Sequence, residues 1–101
     1  MANALRLTAN GGCEYIDNTN ARTGKKYYCF IVQADTVVGT LTGGFAPDTT
    51  TNYLTSIGLS GKTLKQGAII YAPGDAVFTN LTLTSGTIIA YSEWYLYIHY
   101  L

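Results

Sequence analysis

An internal repeat constrains this chain more than any other feature. Thr63-Leu64-Lys65-Gln66-Gly67-Ala68-Ile69-Ile70 returns as Thr82-Leu83-Thr84-Ser85-Gly86-Thr87-Ile88-Ile89. Each copy reads as strand, two-residue turn, strand. Gln66-Gly67 and Ser85-Gly86 stand where a tight hairpin loop needs positive φ, which glycine adopts without a Cβ clash. Pro73-Gly74-Asp75 between the copies is a third turn signal. The pattern predicts a β-meander over residues 64–91, with the apolar strands 68–72 and 87–91 in the core.

The rest of the chain is also strand and turn. KYYCFIVQA, residues 26–34, is rich in aromatic and β-branched side chains. Alternation sets Tyr27, Cys29 and Ile31 on one side and Tyr28, Phe30 and Val32 on the other. Both sides are apolar, so both need cover: one from the core, the other from a second sheet or a neighbouring subunit. TVVGTLT follows at 36–42, where Gly39 marks a bulge or a close backbone approach. Residues 43–52 are irregular, and Asp48 is placed to cap a helical turn. Weak alternation returns at 53–59. Along 77–84, Val77, Leu81 and Leu83 point inward against Asn80, Thr82 and Thr84 on a Thr-rich outer face. Leu5 and Leu7 suggest a short first strand and residues 13–16 a second, before the exposed loop DNTNARTG at 17–24. No segment sustains a 3.6-residue period. About eight short strands between turn signals predict an all-β fold, a small antiparallel β-sandwich or jelly-roll-like barrel in one domain over residues 1–101.

The last eight residues, WYLYIHYL at 94–101, stand apart. Trp94, Leu96, Ile98 and Tyr100 form one face of a strand; Tyr95, Tyr97 and His99 form the other. A two-layer subunit needs only one apolar face, and surplus aromatic surface usually marks a contact. The candidate interface residues are therefore Trp94, Tyr95, Tyr97 and His99, together with Tyr27 and Tyr28 of the earlier aromatic strand. Nine tyrosines in 101 residues favour such contacts, because tyrosine joins a large contact area to a polar tip. Only 12% of residues are charged, against a usual ~25%, which suits a surface covered in an assembly.

Chemistry is hard to find in the sequence. Six basic and six acidic residues cancel, and no basic cluster suits nucleic acid; Arg22 with Lys25-Lys26 reads as a solvated loop. His99 is the single histidine, and it reads as a ring on the tyrosine face of its strand. Most of the acids fall in turns, where aspartate stabilises local backbone. No nucleotide loop, nucleophile elbow, zinc-protease motif or EF-hand loop is present. The expectation is a non-enzyme with no cofactor and no metal site. The N-terminus has no apolar signal region and no run approaches a membrane span, so synthesis and residence in a cytoplasm are expected, with Cys13 and Cys29 reduced.

TLKQGAIIYAPGDAVFTNLTLTSGTIIAY, residues 63–91, resembles small structural proteins of tailed bacteriophages, in which an LxxG turn leads to a short apolar strand ending in an aromatic. YYCFIVQADTVVGTLTG, residues 27–43, fits the same cadence. The resemblance spans half to two-thirds of the chain, and WYLYIHYL departs from it. It implies a β-rich virion protein, a capsid decoration or head-fibre component, homotrimeric and bound to the major capsid protein or another virion protein, assembled in a bacterial cytoplasm. The alternative is a receptor- or carbohydrate-binding β-module at a tail or fibre, where Trp94 and tyrosines stack on a ligand. A small hydrolase is the third reading.

Overall fold

Two long strands carry the architecture. In a computed structural model of the protein, which describes residues 12–45 and 50–93, these are β2 (Tyr27–Gly44) and β5 (Val77–Ser92). They pair antiparallel along their whole length, from Tyr27 opposite Ser92 to Gly44 opposite Val77. Three short strands complete an open five-stranded sheet. β1 (Cys13–Ile16) pairs with the end of β5; β3 (Thr51–Asn52) pairs with the end of β2; β4 (Ile69–Tyr71) pairs with the start of β2. Of the described residues 58% are strand and 5% helix, as the absence of helical periodicity predicts.

The sheet doubles over on itself. Tyr27 pairs with Ser92 at one end of β5 and also with Phe78 near the other end. The chain before it continues along that far half: Arg22 exchanges both backbone bonds with Leu81 (2.9 Å each), and the Lys25 N–H donates to the Thr79 carbonyl (3.0 Å). One layer therefore holds β1, the second half of β5, the first half of β2, and β4. The other holds residues 22–25, the first half of β5, the second half of β2, and β3. Phe30 of the first layer meets Phe78 of the second with ring centroids 5.9 Å apart. Ile16, Val32, Ile88 and Ala90 join Val38, Leu41, Leu81 and Leu83 in one core between the layers. The layering expected of a small sandwich thus comes from one folded sheet.

The corner falls at residues 33–40 of β2 against 83–87 of β5, where the pairing register slips repeatedly. Thr36 is fully buried there. Its hydroxyl donates to the Ala34 carbonyl (2.7 Å), has the Thr87 carbonyl within reach at 3.3 Å, and accepts from the Thr87 N–H (3.1 Å). Its backbone exchanges two bonds with Leu64, which ties the loop after the helix to the corner. Gly86 crosses Thr36 with φ +102°; a Cβ there would overlap the Thr36 hydroxyl and stand 2.6 Å from the Asp35 carbonyl. Gly39 is a close approach too, as expected: a Cβ would lie 2.7 Å from Thr84 Oγ1.

Several expectations change. Ser85-Gly86 is no hairpin turn; it is the bend within one strand. Gln66-Gly67 does form a turn, but β4 pairs with β2 and not with its sequence neighbours, and β5 lies on the opposite edge of β2. The C-terminal half is therefore not a meander. Residues 53–59 start with a single helical turn, α1 (Tyr53–Ser56), capped by Asn52, whose Oδ1 accepts from the Leu54 N–H at 3.0 Å. The side chains of Leu54, Ile57, Leu59 and Leu64 pack on the core from this connection. The strand around Leu5 and Leu7, the cap at Asp48, and the segment 94–101 lie outside the described residues.

Candidate functional site

The two outer faces of the doubled sheet differ in chemistry although the same strands build both. Around the second half of β2 the outward residues are Thr40, Thr42, Asn80 and Thr82, matched across the ladder as Thr40 with Thr82 and Thr42 with Asn80. This is the Thr-rich face expected from alternation, and hydroxyls and amides keep it wet.

The other outer face is apolar. Phe30, Val32, Ile88, Ala90 and Ile16 point into the core, so the residues between them point out. Register brings them into two ranks across four strands. Tyr15, Ile89, Ile31 and Ile69 form one; Cys13, Tyr91, Cys29 and Tyr71 form the other. No member carries a charge. Tyr15 is 61% exposed, and Ile69 and Tyr71 are each 49% exposed. Ile31, Ile89 and Tyr91 are half-buried, Cys13 is exposed and Cys29 is buried. Exposed area of this composition sums to on the order of 400 Å², within the ~300–600 Å² of a typical largest patch, which is often functional.

This face corrects the sequence reading at two points. Ile69 and Ile89 are members of it, and the core residues of those strands are Ile88 and the half-buried Ile70. Tyr27 belongs to the core. A register slip between Tyr27 and Cys29 lets Tyr27 and Phe30 both turn inward while Cys29 and Ile31 turn outward, which simple alternation misses. Tyr28 is buried with its ring 6.5 Å from that of Tyr91. Neither Tyr27 nor Tyr28 presents surface to a partner; Tyr15, Tyr71 and Tyr91 do. Their signal in the sequence is parity with Cys13, Cys29 and Ile31, readable only once the strand pairing is known. Trp94, Tyr95, Tyr97 and His99 fall outside the described residues.

One polar cluster stands at the edge of this layer on its inner side, where Glu14 pairs with Ala90 and shares its side of β1 with Ile16. The Glu14 carboxylate accepts from the Tyr27 hydroxyl and from Arg22 Nε (2.9 Å), with Lys25 Nζ 3.5 Å away. Arg22 also donates from one terminal nitrogen to Asn18 Oδ1 (2.6 Å) and to the Asn20 carbonyl (2.8 Å). Burial pushes the Glu14 carboxyl up, but the hydrogen bonds from Tyr27 and Arg22 and the charges of Lys25 and Arg22 hold it below its ordinary value. Burial, and then the bond to Glu14, push the Tyr27 hydroxyl above its usual range. These groups are committed to one another: Tyr27, Arg22 and Lys25 converge on one carboxylate, and the two cations fasten the 17–26 loop to the sheet. Arg22 and Lys25 of that loop are thus an anchor, where a solvated loop was expected.

Cys13 and Cys29 are not joined by a disulfide. Tyr91 lies between them in the same rank, so their backbones stand two strand spacings apart, about 10 Å, beyond the ~7 Å a bridge can span. No three His, Cys, Asp or Glu side chains come together among the described residues, and no helix among them is long and apolar enough to cross a membrane. Comparison with known proteins found no matching family model, no matching curated protein and no matching solved structure.

Proposed function

We propose that this protein is a non-enzymatic structural component that acts by docking its apolar outer sheet face onto protein. The observation that carries the proposal is the uncharged double rank of Tyr15, Ile89, Ile31 and Ile69 beside Cys13, Tyr91, Cys29 and Tyr71. Such a face loses free energy to water and regains it on contact, at roughly 25 cal/mol per Å² of apolar area covered. The likeness of residues 63–91 to small proteins of tailed phages makes the partner a virion surface, with the major capsid protein as its main component and copies of this chain, three in a ring, as the decorating unit. The location is then the virion, after assembly in a bacterial cytoplasm.

The carbohydrate-binding reading rests on the exposed rings of Tyr15 and Tyr71, which are able to stack on a sugar. Sugar hydroxyls also need amides or carboxylates beside the rings. The face itself carries phenol hydroxyls and thiols, and the Gln33 amide next to it is turned onto the Ile31 carbonyl (3.3 Å), which favours a protein partner.

The test is co-sedimentation with purified capsids. The double variant Tyr15→Ser/Tyr71→Ser, folded by far-UV circular dichroism, is expected to stay in the supernatant while the parent pellets. Equal pelleting of both removes the docking role from this face, and retention of the parent on a glycan array restores the sugar-binding module.

A further inference from the structure

The apolar face is small as the whole of an interface. Its ~400 Å² is about half the ~800 Å² per partner of a standard interface. It is well matched to a short segment. Four strands at ~4.8 Å spacing make a face about 14 Å across, and an eight-residue extended segment reaches about 26 Å. The chain supplies one such segment. Residues 94–101, WYLYIHYL, contain no Asp, Glu, Lys or Arg, and only Glu93 separates them from β5, whose Tyr91 is part of the face.

The direction of the chain favours another copy over the same one. The Glu93 N–H donates to the Lys26 carbonyl at 2.8 Å, so the backbone is still held to the β2 side one residue past the strand, heading away from the face. To return over its own face the segment must reverse, and reversals take two to five residues. A reversal therefore uses up a quarter to more than half of the eight residues and leaves about 10–20 Å of extended chain. A segment continuing outward has its whole length for a neighbour. We propose, resting on the docking role given above, that residues 94–101 of one copy dock on the Tyr15/Ile31/Ile69/Tyr71/Ile89/Tyr91 face of a second copy. The exchange joins the surplus aromatic segment of one subunit to the uncovered sheet face of the next, and repeated round a ring it closes an oligomer.

Complementation tests this with full-length chains. One chain carries Tyr15→Ser/Tyr71→Ser and keeps its C-terminal segment. The other carries Trp94→Ser/Tyr95→Ser/Tyr97→Ser and keeps its face. Light scattering coupled to size exclusion reads the mass, and far-UV circular dichroism checks folding. The parent is expected to be an oligomer. Each variant alone is expected to be a monomer, with self-association weakened at least ~30-fold, the loss for one interface hot spot. Mixed, they are expected to form a one-to-one pair through the single intact contact. If either variant fails to fold, Tyr71→Ser and Trp94→Ser singly serve the same cross. A monomeric parent, a segment variant of parental mass, or folded variants that stay monomeric on mixing each overturns the exchange. Capsid pelleting that depends on Tyr15 and Tyr71 but not on Trp94, Tyr95 and Tyr97 also removes the exchange, and leaves the docking role of the face standing.

Discussion

Replacing Thr36 by Val keeps the side-chain shape and removes the hydroxyl that accepts from Thr87 N–H and donates to the Ala34 carbonyl. The Thr87 N–H and the Ala34 carbonyl then lose this partner, and Thr36→Val is expected to cost about 1–3 kcal/mol in urea unfolding. Gly86→Ala is expected to cost about 2–4 kcal/mol, because the new methyl must displace backbone at a φ of +102°. An unchanged midpoint in both would mean that the corner is not held at this crossing. Glu14 gives a pH signature. Its carboxyl lies below the ordinary 4.5 in the folded protein. Such a group stabilises above its unfolded pKa, and the contribution fades as pH falls through the lower folded value. The melting temperature of the parent should therefore drop more steeply than that of Glu14→Gln on acidification below about pH 4.5. Parallel curves would show that the ion pairs on Glu14 add nothing to the fold.

Neighbouring positions in β5 separate core from outer face. Ile88 is fully buried and Ile89 lies half-buried on the outer face. Ile88→Ala is expected to lose about 2–5 kcal/mol and Ile89→Ala under about 1 kcal/mol, read by thermal or urea unfolding. Equal losses would merge the two faces. Much of this element is legible in the sequence: Leu81 and Leu83 alternate with Thr82 and Thr84, and the structure buries the leucines. The bend at Ser85-Gly86 is not. A glycine of positive φ suits a hairpin loop and a bulge equally, and only the strand lying across from it distinguishes them. Thr36, far back in the chain, is that strand. Tyr27 is misplaced by alternation for the same reason, since a slip of register against Ser92 and Tyr91 leaves no mark in local sequence. The apolar outer face is assembled from four strands that are distant in the chain, so composition signals surplus apolar surface without giving its address.

Because β2 and β5 each run through both layers, neither layer has a core of its own. Unfolding is expected to be a single transition, with tyrosine fluorescence and far-UV circular dichroism giving the same midpoint; two midpoints would mean that the layers melt apart. Pairing such distant strands is also slow, and refolding is expected in the millisecond-to-second range that non-local β folds show. The ends of the described chain add a mechanical property. Ser92 N–H donates to the Gly12 carbonyl at 2.8 Å, so the start of β1 and the end of β5 lie side by side on antiparallel strands. Tension applied between Gly12 and Ser92 pulls across the β1–β5 ladder and loads its rungs one after another, as a zip opens from its free end. The sheet shares no load along the strand axis in that geometry. The described sheet is thus a weak link when stretched between Gly12 and Ser92.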